Sequence, residues 1–137
     1  KRQILATEKI LPCFEIVDSR IESWKIKIQD TIADNASCGI FVLGEDSCAP
    51  DKFSMDELEV IVYKNGEFLS TGKGSAVQGH PAEAVAWLAN TLGEYDIPLL
   101  KGEFILSGSL VPLEPAVSGD VFFMELKGVG TCEIIFS

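Results

Sequence analysis

Histidine occurs once in this chain, at His80, and that scarcity removes several kinds of chemistry before any motif is considered. A site built on two histidines is not available. The four cysteines, Cys13, Cys38, Cys48 and Cys132, are separated by 25, 10 and 84 positions and form no CxxC pair. Structural zinc sites draw on closely spaced ligand pairs, so this spacing argues against one. The thiols are expected to be reduced and mostly buried, as in a cytoplasmic protein.

Basic residues are also few. Eleven Lys and Arg stand against 21 Asp and Glu, giving a net charge of -10 and an isoelectric point near 4.4. Nucleic-acid binding needs clustered cations to displace counterions from phosphates, and these are scattered, so nucleic acid is excluded as a partner. A small anion is still compatible, because a metal or a local array of amides can override the overall field. No apolar run approaches the roughly 18 residues a membrane-spanning helix requires, and no membrane partner is expected. No internal repeat or low-complexity tract is present.

What remains is an ordinary globular composition. The 137 residues are 47% hydrophobic and 23% charged, enough for one domain with a real core. The opening, KRQILATEKILPCFEI, begins without methionine and reads like the tail of a helix running into a strand. That leads us to expect that residues 1–137 are a single C-terminal unit and that an N-terminal part is absent from this sequence.

Arg2 to Leu11 is loosely helical, with Ile4, Leu5, Ile10 and Leu11 apolar, and Pro12 ends the run. Cys13 to Val17 is β-prone, and Ile26 to Ile28 alternates as a short strand does. Ala33 to Leu43 reads as a short helix or turn feeding a buried segment, and residues 44–57 as a surface loop. The clearest local signal is Asn65-Gly66 between the apolar runs Leu58 to Tyr63 and Phe68 to Thr71, the favoured pair for a type I′ hairpin. Pro81 to Leu92 is the best helix, with Pro81 in its first turn, Glu83 near the positive end of the dipole and Gly93 as its cap. Its apolar face is Ala84, Val85, Leu88 and Leu92. Strands are expected over Glu103 to Leu106, Val121 to Leu126 and Cys132 to Phe136. The fold class is α+β, mostly antiparallel strands with one prominent helix packed on them.

Three clusters could carry chemistry. Glu15 sits in the apolar run Cys13 to Val17, where a carboxylate is costly to bury unless paired or bound to a metal. It is read either as an ion-pair partner of Arg20 or a lysine, or as a ligand for a hard cation. Asp34, Asn35 and Ser37 lie in a dense stretch of small polar residues. They fit plain helix capping, or a cap whose free amides bind a carboxylate. Cys38 lacks an evident base and is not read as a nucleophile. The third cluster joins Gly72-Lys73-Gly74-Ser75, Gly79-His80-Pro81 and Leu106-Ser107-Gly108-Ser109. It lacks the P-loop spacing, and His80, directly before a helix proline, reads as a cap or packing residue.

The string EIVDSRIESWKIKIQDTIADNASCGIFVLG, Glu15 to Gly44, closely resembles the 2-hydroxypenta-2,4-dienoate hydratases, also called 2-keto-4-pentenoate hydratases. So do GHPAEAVAWLANTLG, Gly79 to Gly93, the stretch Leu99 to Gly108, and the closing GD and GVG turns. These belong to the fumarylacetoacetate-hydrolase-like superfamily. The resemblance implies a mostly antiparallel, mixed β-roll, a homo-oligomer, and a Mg²⁺ or Mn²⁺ ion that chelates a small 2-hydroxy or 2-oxo dienoic acid and acts as a Lewis acid. It implies that Glu15 is one of three carboxylate metal ligands, the other two lying upstream in a Glu-x-Glu motif. It makes Ser37 a donor to the substrate carboxylate, with Ser107 a second candidate for that role. Glu57-Leu58-Glu59 repeats the pattern but follows Glu15, and is not counted as that motif. The implied reaction is hydration of 2-hydroxypenta-2,4-dienoate to 4-hydroxy-2-oxopentanoate in aromatic catabolism. The alternatives are the related 4-oxalocrotonate decarboxylase, or a catalytically inactive fragment or structural subunit. With one ligand of three, the 137 residues alone are expected to be inactive.

Overall fold

A computed structural model describes residues 2–137. In chain order the elements are α1 (Arg2–Ala6), β1 (Cys13–Val17), α2 (Ile28–Ala33), β2 (Cys38–Leu43), β3 (Glu59–Lys64), β4 (Glu67–Lys73), α3 (Pro81–Gly93), β5 (Val121–Leu126) and β6 (Gly130–Ile135). β3 to β6 form a four-stranded antiparallel sheet in the order β4-β3-β5-β6, and β1 and β2 form a separate antiparallel pair.

The larger sheet follows from period-two patterning. Val60 and Val62 on β3, Met124 and Leu126 on β5 and Cys132 on β6 point to one face and are buried with Met55 and Leu58. Each such side chain contributes about 1.5–3 kcal/mol when fully removed from water. Phe14 of β1 and Val42 of β2 pack against this cluster, and the Phe14 ring meets Phe122 edge-on at 6.4 Å. The β3–β4 connection is the expected tight turn, with Asn65 and Gly66 both left-handed at φ 53° and 83°. No helix among the described residues is long and apolar enough to cross a membrane.

The α+β class, the antiparallel strands and the prominent helix are as the sequence led us to expect, and several boundaries are not. Helix α1 stops at Ala6 rather than Leu11, because Ile10 leaves the helix to exchange two backbone hydrogen bonds with Cys48. Ile26 to Ile28 is not a strand. Ile28 opens α2, whose entry is fixed by the Asp30 carboxylate accepting from the Lys27 amide at 2.8 Å. Glu103 to Leu106 is irregular as well, and no strand lies between α3 and β5. The expected cap at Gly93 falls inside α3, with Glu94 as the right-handed terminal residue. Nor is β2 buried, since it pairs with β1 alone and leaves Ile40 61% and Phe41 41% exposed. Residues 44–57 are not wholly a surface loop, because Cys48 and Met55 are buried in it.

Candidate functional site

Between the two sheets lies a cavity of about 730 Å³. Its floor is the apolar face of the large sheet, its flank is β1, and its roof is the irregular chain from Ile105 to Ala116. That roof is positioned by close backbone approach and by an ion. Gly72 of β4 sits so tightly under the Leu110 carbonyl that any side chain there would collide with it. The Lys64 ammonium donates to the Pro115 carbonyl at 2.8 Å. The lining brings together Glu15, Asp18, Trp24, Ser107 and Ser109 from three separate stretches of chain.

Glu15 is exposed at this cavity and makes no ion pair among the described residues. The cation the sequence offered it is committed elsewhere: Arg20 Nε lies 3.3 Å from Asp34 Oδ1, and the Arg20 amide donates to Asp34 Oδ2 at 3.4 Å. Its charge instead adds to desolvation in pushing up the nearby Cys38 thiol, whose own hydrogen bond goes to the Ile40 carbonyl at 4.0 Å. It is therefore an accessible carboxylate without a cation, which suits one oxygen ligand of a hard metal. One ligand does not make a centre. Among the described residues no group of three His, Cys, Asp or Glu is arranged to hold an ion. Glu57 and Glu59 form no part of a site, being paired on the surface with Lys73 and Lys127 at 3.0 Å each.

Ser37 is the least ordinary residue. It is 2% exposed, and its hydroxyl has no hydrogen-bond partner. A buried hydroxyl left unpaired costs about 1–3 kcal/mol. Its backbone is held firmly: the amide donates to the Asp34 carbonyl at 2.9 Å and the carbonyl accepts from the Asp18 amide at 2.8 Å. Asn35, Ala36 and Ser37 are all left-handed, at φ 49°, 58° and 58°. Three consecutive non-glycine residues in that region cost roughly 1–2 kcal/mol each. The stretch is thus a strained turn delivering a serine into β2, and not the helix cap that its composition suggested. A bulge follows, because Gly39 falls between the Ile16–Ile40 and Val17–Cys38 pairs. Ser37 does not line the cavity but reaches its edge through Asp18, which does.

Ser107 lines the cavity directly, beside left-handed Gly108 at φ 120°. His80 caps α3, its Nδ1 accepting from the Ala82 amide at 3.1 Å, and takes no part in the site. Cys48 and Cys132 are buried, while Cys13 and Cys38 are half-buried, and all four are free. Burial, reinforced by Cys132, Glu15 and Cys38, pushes the Cys13 thiol up to about 11. Desolvation and then the Glu15 carboxylate raise Cys38 as well. Both stay protonated near neutrality, so neither is an activated nucleophile.

Sequence reading missed Trp24 and the roof beyond Ser109; Asp18 lay within the Glu15 to Arg20 cluster but was given no role of its own. Residues 107–119 have no period and contain Pro112 and Pro115, so they pass for a spacer. The only available signal was their apolar content, Leu110, Val111 and Leu113, within a stretch lacking secondary-structure periodicity.

The profile described as fumarylacetoacetate (FAA) hydrolase C-terminal matches residues 10–135. A 2-hydroxyhexa-2,4-dienoate hydratase from Comamonas testosteroni is 60% identical over 134 residues, which is 98% of this chain and 51% of that protein. A 2-keto-4-pentenoate hydratase from Paraburkholderia xenovorans (strain LB400) is 43% identical over 131 residues, covering 96% of this chain and 49% of that one. In structure, 4-oxalocrotonate decarboxylase from Pseudomonas putida G7, complexed with magnesium and adipate, superposes with a TM-score of 0.90 at 35% identity. That likeness covers 98% of this chain and 51% of the decarboxylase. The chain thus spans about half the length of the curated relatives it matches.

Proposed function

The chain belongs to the fumarylacetoacetate hydrolase family, and from that premise we propose that it forms the C-terminal part of a divalent-metal-dependent hydratase acting on a 2-hydroxy-2,4-dienoic acid. The observations that carry this reading are an accessible, cation-free Glu15 on β1 and a buried, partnerless Ser37 hydroxyl in the turn that leads into β2, the strand paired with β1. Both groups are incomplete without a ligand. Glu15 would hold one position of a Mg²⁺ or Mn²⁺ ion, and the remaining ligands come from polypeptide outside these 137 residues, since no second and third carboxylate converge on it here. When bound, such an ion supplies Lewis acidity to the substrate's oxygen.

This chain's own residues have simpler tasks. Ser37 donates a hydrogen bond to the substrate carboxylate, and the rigid backbone around it fixes the direction of that bond. Ser107 offers a second hydroxyl from the roof. The proton-transfer groups for hydration lie outside these residues, so the 137-residue chain alone is inactive. The assembled protein is a cytoplasmic homo-oligomer whose exposed Ile40 and Phe41 are covered in the assembly.

A second reading is decarboxylation of 4-oxalocrotonate, favoured by the TM-score of 0.90 to that enzyme. The higher identity to the hydratase, 60% against 35%, ranks it lower. One experiment separates the readings. The 137 residues are fused behind the half of the Comamonas relative that they do not cover, and the product is assayed with Mg²⁺ on 2-hydroxypenta-2,4-dienoate and on 4-oxalocrotonate. Metal-dependent loss of dienoate absorbance supports hydration, CO₂ release from the diacid supports decarboxylation, and activity of the unfused chain defeats the proposed division of the site.

A further inference from the structure

We infer that the open edge of β2 is a self-pairing surface, on which a second copy of this chain adds its own β2 antiparallel to make one sheet in the order β1-β2-β2-β1. The inference rests on the homo-oligomer part of the reading above and uses none of its chemistry. β1 and β2 form a two-stranded sheet, and β2 has no strand on its other side among the described residues. The Gly44 amide donates to the Pro12 carbonyl at 2.9 Å, and the alternation of antiparallel bonding from that point directs the Ile40 and Val42 N–H groups at β1. The N–H and C=O groups of Phe41 and Leu43 therefore point away from β1, where no described strand receives them. A two-stranded sheet is marginal until a further strand joins it.

What the edge carries identifies its occupant. Cys38–Leu43 reads CGIFVL, with no charge and no proline, and Ile40 and Phe41 are exposed on it. Sheets that stay open in solution blunt such an edge with lysine, proline or a bulge. The bulge here falls at Gly39, near the start of the strand, and leaves Ile40 to Leu43 regular. A net charge of -10 drives copies of this chain apart except where the facing surfaces are neutral, and this strand is neutral along its length. It is also complementary to itself. With a twofold axis at Phe41, that residue exchanges both backbone hydrogen bonds with its counterpart. Ile40 then faces Val42 of the second copy, and Leu43 faces Gly39, which has no side chain to obstruct it. Each Phe41 brings the Phe104 ring with it, 5.9 Å from its own, so aromatic surface gathers at the axis.

Analytical ultracentrifugation of the 137-residue chain tests this, with wild type, Phe41→Pro and Ile40→Lys compared over a concentration series. Phe41→Pro removes an N–H that β1 does not use, a change an edge strand tolerates, and Ile40→Lys puts a charge at an exposed edge position. The expected result is a concentration-dependent wild-type dimer and, in each variant, a dissociation constant raised roughly tenfold or more. Hydrogen exchange on wild type gives a readout that does not depend on either variant folding. The Phe41 and Leu43 amides should slow as the chain dimerises, while those of Ile40 and Val42 are protected throughout. A monomeric wild type, folded variants that dimerise as well as wild type, or a dimer in which Phe41 and Leu43 exchange freely overturns the inference. So does a fused protein that stays monomeric with those amides protected, because the added polypeptide then occupies the edge. The hydratase reading fails separately: an edge-paired dimer with no hydration by the fused protein defeats that reading, whereas hydration by a fused protein whose Phe41 and Leu43 amides exchange freely defeats only the edge pairing.

Discussion

The ammonium of Lys64 lies 3.0 Å from the carboxylate of Asp120, and through that pair the hairpin and the cavity roof are tied to one another. Asp120 also accepts from Asn65 Nδ2 at 2.9 Å and from the Val117 amide at 2.9 Å, while Lys64 donates to the Pro115 carbonyl. Asn65 completes the circuit by accepting from the Val121 amide at 2.9 Å. A turn residue, a strand end, Pro115 of the roof and Val117 just beyond it therefore share one polar network.

Replacing Asp120 by Asn is expected to lower the melting temperature by several degrees, because the Val117 amide and the Lys64 ammonium lose an ionised acceptor at once. The pH dependence follows the same network. Hydrogen bonds from Asn65 and Val117, then Lys64, hold the Asp120 carboxyl down at about 2, below its ordinary 3.8. Its contribution to stability is therefore full above about pH 4 and is lost as the pH falls toward about 2. Thermal melts of wild type and Asp120→Asn between pH 2 and pH 6 should converge at the acid end. Parallel curves across that range would show that the network is not what titrates.

Substituting Glu15 by Gln keeps the shape of an exposed side chain that has no ion pair, so folding stability should change by less than about 0.5 kcal/mol. In the fused, active protein the same change removes one ligand of the proposed metal site. The expected outcome is a raised Mg²⁺ requirement, measured as the metal concentration for half-maximal rate, by roughly tenfold or more, as one lost charge-assisted contact implies. An unchanged metal requirement would remove Glu15 from the site.

How far these features were legible depends on whether the cause was local. The Asn65-Gly66 hairpin and the start of α3 at His80-Pro81 were visible because turn and cap chemistry act within four residues. Glu103 to Leu106 read as a strand and is not one, since no neighbouring strand pairs with it, and pairing is a property of the whole sheet. Glu15 was found as a carboxylate in an apolar run, but its freedom from Arg20 was not, because Asp34 captures that arginine from fourteen residues away. The role of the roof was invisible for the same reason: Lys64 and Pro115 are 51 positions apart.

Ser37→Ala separates a structural serine from a functional one. The hydroxyl is buried without a partner, so its removal should leave stability unchanged or raise it by up to about 1 kcal/mol. In the fused protein, kcat/KM for the dienoate should fall by roughly ten- to a hundredfold, the value of one hydrogen bond to a charged group. A lower melting temperature with unaltered kinetics would assign Ser37 to folding alone.

Ala36 provides the sharpest test of whether the turn before β2 is held under strain for the sake of the site. It is left-handed at φ 58°, flanked by Asn35 and Ser37 in the same region. Glycine adopts that conformation without the clash an alanine suffers, so Ala36→Gly relieves roughly 1 kcal/mol in the folded state, offset in part by the greater freedom of glycine in the unfolded chain. Denaturant unfolding should therefore show a variant as stable as wild type or up to about 1 kcal/mol more stable. If the strain fixes the direction of the Ser37 hydroxyl, the same variant in the fused protein loses rate through a higher KM, since the donor to the substrate carboxylate is no longer held in one place. Greater stability with a weakened KM would show that the turn trades stability for a fixed donor, whereas a destabilised variant would mean that the left-handed run costs the protein nothing.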